Sequence, residues 1–361
     1  MNRKVNFNPG PAALPLAVLE KAQKALLDFN GIGIGIMEIS HRSKEFEAYL
    51  HETQERIRRV FALDKETHIL FCQGGARTQF AMLPMNFLKH RAAYLNTGTW
   101  SDKAIVESER FGDTAVLASS KDDNFTWYPG TTQYELRGDE DYLHITSNNT
   151  VYGTQIHDWP DTGDVPVVVD MSSDIASRQL DFNSYDMIYA GAQKNIGPAG
   201  VTLVLMKDSF AQRAIQDDKM PLMFRYETYI TKNSLYNTPP VFNIYVLGLV
   251  FEWIEENGGL AAIEANNEKK ANLLYGLLDE YPEFFRGTVR ADSRSLMNIC
   301  LRLPTVELEK QLVADATEAG FVGVKGHSSV GGIRVSNYNA VPVDGVERFV
   351  EYMREYAKKH G

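Results

Sequence analysis

Apolar residues recur along the chain with two alternating periods, and the alternation lays out most of the architecture. Leu19, Ala22, Leu26 and Phe29 repeat at helical spacing behind Pro15, and Gly31 supplies a stop. From Ser43 a second stripe, Phe46, Tyr49, Leu50, Thr53, Ile57 and Val60, marks one face of an amphipathic helix whose other faces carry Glu47, Glu55, Arg56 and Arg59. Short β-rich runs then take turns with helical ones: HILFCQ, TQFAMLPMNFLKH, AAYLNTG, SDKAIVESERFG and TAVLASS, followed by YLHITSN, VPVVVDM, DMIYAGA and VTLVLM. Most of these runs are dense in Val, Ile, Leu and Tyr, as strands covered on both faces should be. The pattern predicts an α/β fold, a large domain built on a mainly parallel mixed sheet with helices on both sides. The last third opens with helices around 244–257 and 261–278. Behind Gly258 and Gly259 we place a smaller C-terminal α/β domain holding SLMNICLRL, a helix near 306–319, GGIRVSNY and a terminal amphipathic helix. With no low-complexity linker in sight, continuous helix is expected to join the two.

Composition narrows the class. A length of 361 residues favours two domains, and 44% hydrophobic with 23% charged residues is ordinary globular usage. With 37 basic and 47 acidic residues the net charge is -10, which argues against nucleic acid and anionic membrane as partners and for a small molecule. Cys72 and Cys300 cannot build a disulfide framework or a four-ligand zinc site, so no metal is expected and the compartment reads as reducing. The start MNRKVNFNPGPAALP lacks the apolar run of a signal peptide, so a cytoplasmic protein is expected. The most apolar stretch, at 241–254, has 14 residues and contains Asn243 and Glu252, too short and polar to span a bilayer. Asn124 and Asn148 match the glycosylation acceptor pattern but, without a secretion signal, read as unmodified.

The candidate chemistry sits where strands end. In FCQGGARTQFAML a glycine pair lies between a strand and a helix, aiming backbone N–H groups and the positive helix end at one spot that suits a phosphate; the alternative is a plain turn. GIGIGI at 31–36 follows a helix and has the wrong glycine spacing for a dinucleotide loop, so it reads as a flexible connector. Asp170 ends an apolar strand, where it is either a ligand contact or a helix cap. Lys194 ends DMIYAGAQK at the same sheet edge, and a partly desolvated lysine loses its proton readily and attacks carbonyls. A phosphate cup, a strand-end aspartate and a strand-end lysine are together the protein contacts of a pyridoxal phosphate site. Trp100, in LNTGTW, is either the flat face that stacks on the coenzyme ring or a core residue.

At these residues the sequence resembles the phosphoserine aminotransferases, class-V pyridoxal-phosphate enzymes, over essentially its whole length. NFNPGPAALP, MEISHRSKEF, QGGART, TSNNTVYGTQ, DMSSDIASR, YAGAQKNIGPAG, NTPPVFNIYVLGL and GHSSVGGIRVSNYNA carry the likeness in order, and AGAQKNIGPAG is the most specific of them. The resemblance implies a fold of the aspartate-aminotransferase type (PLP-dependent transferase, fold type I), with a large domain at 16–258 and a small one formed by 1–15 and 259–361. It implies that Lys194 bonds the coenzyme aldehyde, Asp170 partners the ring nitrogen and Trp100 stacks. Ala76, Arg77 and Gln193 would hold the coenzyme phosphate, with Thr150 near the ring hydroxyl. Asn237 and Thr238 would reach the phosphate from a second subunit of a homodimer. His41, Arg42, Arg77, His327 and Arg334 would bind substrate, as guanidinium pairing with carboxylate and phosphate would favour. Nor does the overall negative charge stand in the way, since a cation about 4 Å from an anion contributes roughly 4 kcal/mol at an effective dielectric near 20.

The activity so implied is two-stage amino transfer between glutamate and 3-phosphohydroxypyruvate, giving 2-oxoglutarate and phosphoserine in serine biosynthesis. Use of 4-phosphohydroxythreonine, in pyridoxine biosynthesis, stays open. Two departures from the resemblance stand out: Ser328 occupies the place of the usual arginine, and Asn8-Pro9 replaces a common serine. A cysteine-dependent sulfur-transfer enzyme would need a mobile thiol, and both cysteines lie in strand-like runs. A non-catalytic phosphate-ligand protein would leave Lys194 and Asp170 as a mere ion pair.

Overall fold

A computed structural model describes residues 3–130 and 133–361. The chain opens with β1 (Val5–Asn6), α1 (Leu16–Ala25) and α2 (Lys44–Phe61). Strands and helices then alternate: β2 (Thr67–Gln73), α3 (Arg77–Phe87), β3 (Arg91–Asn96), α4 (Thr99–Ser108), β4 (Asp113–Ser119) and β5 (Tyr142–Thr146). There follow β6 (Val167–Asp170), β7 (Met187–Gly191), β8 (Val201–Lys207), α5 (Asp208–Ala211), α6 (Tyr226–Thr231) and α7 (Val241–Glu256). The remainder is α8 (Gly259–Glu280), β9 (Arg286–Gly287), β10 (Asn298–Arg302), α9 (Val306–Glu318), β11 (Phe321–Val322), β12 (Ile333–Ser336) and α10 (Val343–His360).

Seven strands form the main sheet in the order β2-β8-β7-β6-β5-β3-β4, parallel except where β8 runs against β2 and β7. Period-two alternation sends successive side chains to opposite faces. Ile69, Phe71, Leu95, Ile145, Val169 and Leu203 join one apolar cluster with residues of α1, α2 and α7. Leu70, Cys72, Tyr94, Tyr142, Val168 and Val204 join another with residues of α3, α4 and α6. This two-sided cover is why the strands read as unbroken apolar runs. β4 differs from that reading: it is one of the two sheet edges, and Val116 stays 44% exposed.

Val5 and Phe7 belong to a separate cluster with Leu274, Leu312, Phe321 and Phe349, because β1 pairs in parallel with β11. The expected continuous joining helix is interrupted. Gly258 and Gly259 take φ of 91° and 69°, a left-handed backbone that breaks helical geometry between α7 and α8. The bridge is instead α8 itself, with Ile263 in the large cluster and Leu274, Leu277 and Leu278 in the small one. None of the described helices is long and apolar enough to cross a membrane.

Candidate active site

Chain order reverses between β3 and β5, and in such sheets the crevice beyond the carboxyl ends of the strands receives ligands. The same edge gathers the ends of β2, β3, β5, β6 and β7, and so the segments carrying Ala76, Trp100, Thr150, Asp170 and Lys194. Lys194 Nζ donates to Thr150 Oγ1 at 2.7 Å and stands 5.9 Å from the Trp100 ring centroid. Arg334, on β12 and only 5% exposed, donates from Nη1 to the backbone oxygen of Thr150 at 3.0 Å. Thr150 therefore joins the lysine of the large sheet to the arginine of the small one.

Two buried acids lie behind this pair. Asp170, 5% exposed, accepts from the backbone N–H of Ser172 at 2.9 Å. Burial raises its pKa, opposed by the Ser172 hydroxyl and the Lys194 charge. Asp174 is also raised by burial, and it is held by Arg178 at 3.6 Å, Gln155 Nε2 at 3.0 Å and the Ser147 hydroxyl. Lys194 itself falls to about 8, chiefly because burial strips water from the ammonium; Asp170 and Asp174 push it up and Arg334 pushes it down. A lysine so placed is a usable amine near neutrality.

At the start of α3 Ala76 provides no side-chain cap, and the N–H groups of Thr78 and Gln79 donate to Gly75 O and Ala76 O at 3.0 and 2.9 Å, which leaves those of Ala76 and Arg77 to meet an anion. Gly74 needs its φ of 89° to make the turn, and a side chain on Gly75 would meet nothing within 4 Å. Arg77 Cζ lies 5.6 Å from the Trp100 centroid. Buried Trp100 Nε1, Gln193 Oε1 and Arg334 Nε find no partner among the described residues. Unpaired buried polar atoms, the backbone N–H groups of Ala76 and Arg77, a desolvated lysine and a buried carboxylate around one crevice fit an anionic group with a basic ring nitrogen. Pyridoxal phosphate is such a group.

His327 accepts the Ser329 backbone N–H at Nδ1, which leaves Nε2 to carry its proton. Burial, then Arg334 and Lys103, hold its pKa down. By contrast, His41, Arg42, Asn237 and Thr238 make no hydrogen bond or ion pair with Lys194, Asp170, Thr150 or Arg334 among the described residues. His41 is buried with Nε2 unpartnered, while Arg42 and Thr238 are exposed. Sequence reasoning missed Gly10 and Asp174. Gly10 takes φ 131°, and a Cβ there would come within 3.2 Å of Lys194 Cγ. The quoted segments NFNPGPAALP and DMSSDIASR already contained the signal for Gly10 and Asp174. Neither cysteine offers a ready thiolate, since burial pushes both Cys72 and Cys300 up to about 12.

A family model described as aminotransferase class-V matches residues 4–349. A phosphoserine aminotransferase of Desulfatibacillum aliphaticivorans is 52% identical over 364 aligned residues, covering 100% of this chain and 99% of the relative. The solved phosphoserine aminotransferase of Bacillus circulans subsp. alkalophilus superposes with a TM-score of 0.97 at 48% identity, covering 99% of each chain. Another solved phosphoserine aminotransferase, described for radiation damage of its Schiff base, has a TM-score of 0.96 at 45% identity, covering 99% of this chain and 100% of its own. Sheet order, crevice and relatives agree: the chain belongs to the class-V aminotransferases and, within them, to the pyridoxal-phosphate-dependent phosphoserine aminotransferases.

Proposed function

We propose that this chain moves an amino group reversibly between glutamate and 3-phosphohydroxypyruvate, yielding 2-oxoglutarate and O-phosphoserine, with residue roles read from the crevice. The observation that carries the reading is Lys194 Nζ, held by Thr150 beside Trp100, with the buried Asp170 at the end of the neighbouring strand. Pyridoxal phosphate, when bound, supplies an aldehyde for the amine and a ring that draws electron density from the substrate α-carbon. Lys194 holds the coenzyme between turnovers and, once freed, moves the α-carbon proton, a task suited to an amine that titrates near neutrality. Asp170 keeps a proton on the ring nitrogen. Ala76 and Arg77, with Gln193, hold the coenzyme phosphate, and Trp100 and Thr150 fix the ring. Arg334, its position set through Thr150, takes the substrate carboxylate.

The large unit, 16–258, carries the coenzyme contacts, while the small unit, 1–15 with 259–361, brings His327 and Arg334. The separate apolar clusters support this division. His41, Arg42, Asn237 and Thr238 serve the site of a partner copy in a homodimer, which fits their distance from bonding with their own Lys194 cluster. A cytoplasmic setting fits the two free thiols. The test is a half-reaction series on the purified holoenzyme, following the coenzyme spectrum with glutamate, O-phosphoserine and plain serine. The first two should convert it, with serine at least about tenfold less efficient, since the lost charged contacts are worth roughly 1.5–3 kcal/mol. Conversion by serine as readily as by phosphoserine would sink the phosphate-specific reading.

A further inference from the structure

The segment 326–332 carries His327 and leads directly into β12 and Arg334, and it stands between two hollows. One, of about 380 Å³, separates it from Val151 and Tyr152, the residues that follow Thr150 in the large unit. The other, of about 400 Å³, lies against Val306, Lys310 and Val313 of α9. With space on both faces, close packing does little to decide where His327 stands. Its place depends on the polar ties at the base of the segment.

Those ties converge on one buried acid. The Gly326 N–H donates to Gly332 O at 2.9 Å and closes the neck of the segment. The N–H of Gly332 donates in turn to Glu309 Oε2 at 3.2 Å. Glu309, on α9, is 5% exposed, and its Oε1 accepts from Arg302 Nε at 2.5 Å and from the Leu303 N–H at 3.3 Å. Arg302 Nη1 donates further along, to Val330 O at 3.3 Å. The N–H groups of Val330 and Gly331 donate to His327 O at 3.0 and 2.8 Å, so both ties are passed on to His327. Gly332 takes φ 73°, and a Cβ there would lie 2.7 Å from Leu301 O and 2.8 Å from Arg302 Cδ, so the neck is seated directly on the arginine stem. A carboxylate is kept buried only where it is paired and hydrogen-bonded, and here its partners are that arginine, the end of β10 and the neck of the His327 segment.

We propose that Glu309 is a positioning residue for substrate binding: through Gly332, and through Arg302 and Val330, it fixes where His327 stands beside the crevice. The inference rests on the reading that His327 meets substrate and names the group that sets its place. Glu309 uses both carboxylate oxygens on Arg302, Leu303 and Gly332, so it acts on substrate only through the segment. Its loss lowers the fraction of molecules with His327 in position and leaves the chemical step alone. An enzyme with His327 in place one-tenth of the time binds about tenfold more weakly.

The experiment uses holoenzyme with Glu309→Ala, Arg302→Met and His327→Ala, and the two double variants that combine His327→Ala with each of the others. Turnover of O-phosphoserine gives KM and kcat, and amide hydrogen exchange read by mass spectrometry reports on residues 326–332. Glu309→Ala should raise KM about tenfold and Arg302→Met about threefold, with kcat within about twofold of wild type. Exchange in 326–332 should quicken in both while α10 is unchanged. In the His327→Ala background the same two changes should move KM less than about twofold, because the group they position is gone. Should Glu309→Ala not fold, Arg302→Met, which keeps the acid and its bond to Gly332, carries the same test. Effects on KM that add in full in the double variants, or a fall in kcat as large as the rise in KM, would mark Glu309 as a support for the small unit and overturn the proposal, as would unchanged exchange in the segment. If His327→Ala by itself leaves KM unchanged, the reading of His327 as a substrate contact fails and this inference with it; if His327→Ala raises KM while Glu309→Ala and Arg302→Met do not, this inference alone fails.

Discussion

At the residue scale the site turns on how firmly Lys194 holds its proton. Burial pulls its pKa to about 8, against an ordinary value near 10.4, even though Asp170 and Asp174 oppose the shift. The sign is definite: a lowered lysine pKa means the ammonium gives up its proton at lower pH, so nucleophilicity rises with pH and levels above the shifted value. Labelling of the coenzyme-free chain with an amine-reactive reagent, read by peptide mass spectrometry, should show Lys194 reacting at half its maximal rate near pH 8. A midpoint above about 10 would mean that the two carboxylates, not desolvation, control the amine. Gly10 shows how close the packing is, since the backbone of NPGP lies where any side chain would press on the stem of Lys194.

Among the elements, α8 does the most to bind the two units together. Lys270 in its middle is wholly buried, and its Nζ donates to the backbone oxygens of Tyr338 at 2.9 Å, Val341 at 3.1 Å and Asn337 at 3.5 Å. Three residues earlier, Asn267 donates to Ser177 O and to Asn339 Oδ1, and Asn339 donates to Ala176 O. The turn after β12, the strand of Arg334, is thereby fastened both to α8 and to the segment beyond β6. Desolvation pushes the Lys270 pKa down to about 7. Between that value and about 10.4 the unfolded chain binds a proton that the folded chain does not, so this group makes stability rise with pH across the window, and its unfavourable effect is complete below about 7. Lys270→Met removes the titration and leaves three carbonyl oxygens short of a donor, at a cost of about 1–3 kcal/mol for a buried group left unpaired. Urea unfolding of both proteins at pH 6.5 and 9 should show the stability gap between wild type and Lys270→Met widening at the higher pH. Parallel behaviour would show that Lys270 does not titrate in this range.

For the whole molecule, the net charge of -10 and the cationic crevice are compatible because charges separated by more than about 8 Å are largely screened at physiological salt. Leu27 at 84% and Met37 at 69% exposure, with Ile32 and Ile34 between them, leave an apolar surface on the connector from α1 to α2, the segment that ends in His41 and Arg42. The proposed homodimer with shared sites would cover this surface and bring Asn237 and Thr238 to the neighbour's coenzyme. Asn237→Ala with Thr238→Ala should therefore weaken coenzyme binding about tenfold, the loss of roughly 1.4 kcal/mol of contacts, while sedimentation still reports a dimer. Tight coenzyme binding by a sedimenting monomer would refute the shared site.

The sequence by itself determined the strands, most of the helices and the residues at strand ends, because a period of two or 3.6 is a local property of the chain. Lys194 and Asp170 were legible for the same reason: each closes an apolar run, and strand ends in an α/β sheet share an edge. His41, Arg42, Asn237 and Thr238 were named from the resemblance alone, since nothing in their spacing ties them to Lys194. Only the tertiary structure decided that α8 and not a continuous helix bridges the units, because the left-handed backbone at Gly258 and Gly259 is a conformational choice that the glycines permit but do not impose. It alone decided that Asp174 is buried against Arg178 and Gln155 and that Lys270 is buried beneath the turn after β12. A charged residue on a helix looks solvated in the sequence, and its burial or its partner depends on which distant segment folds against it.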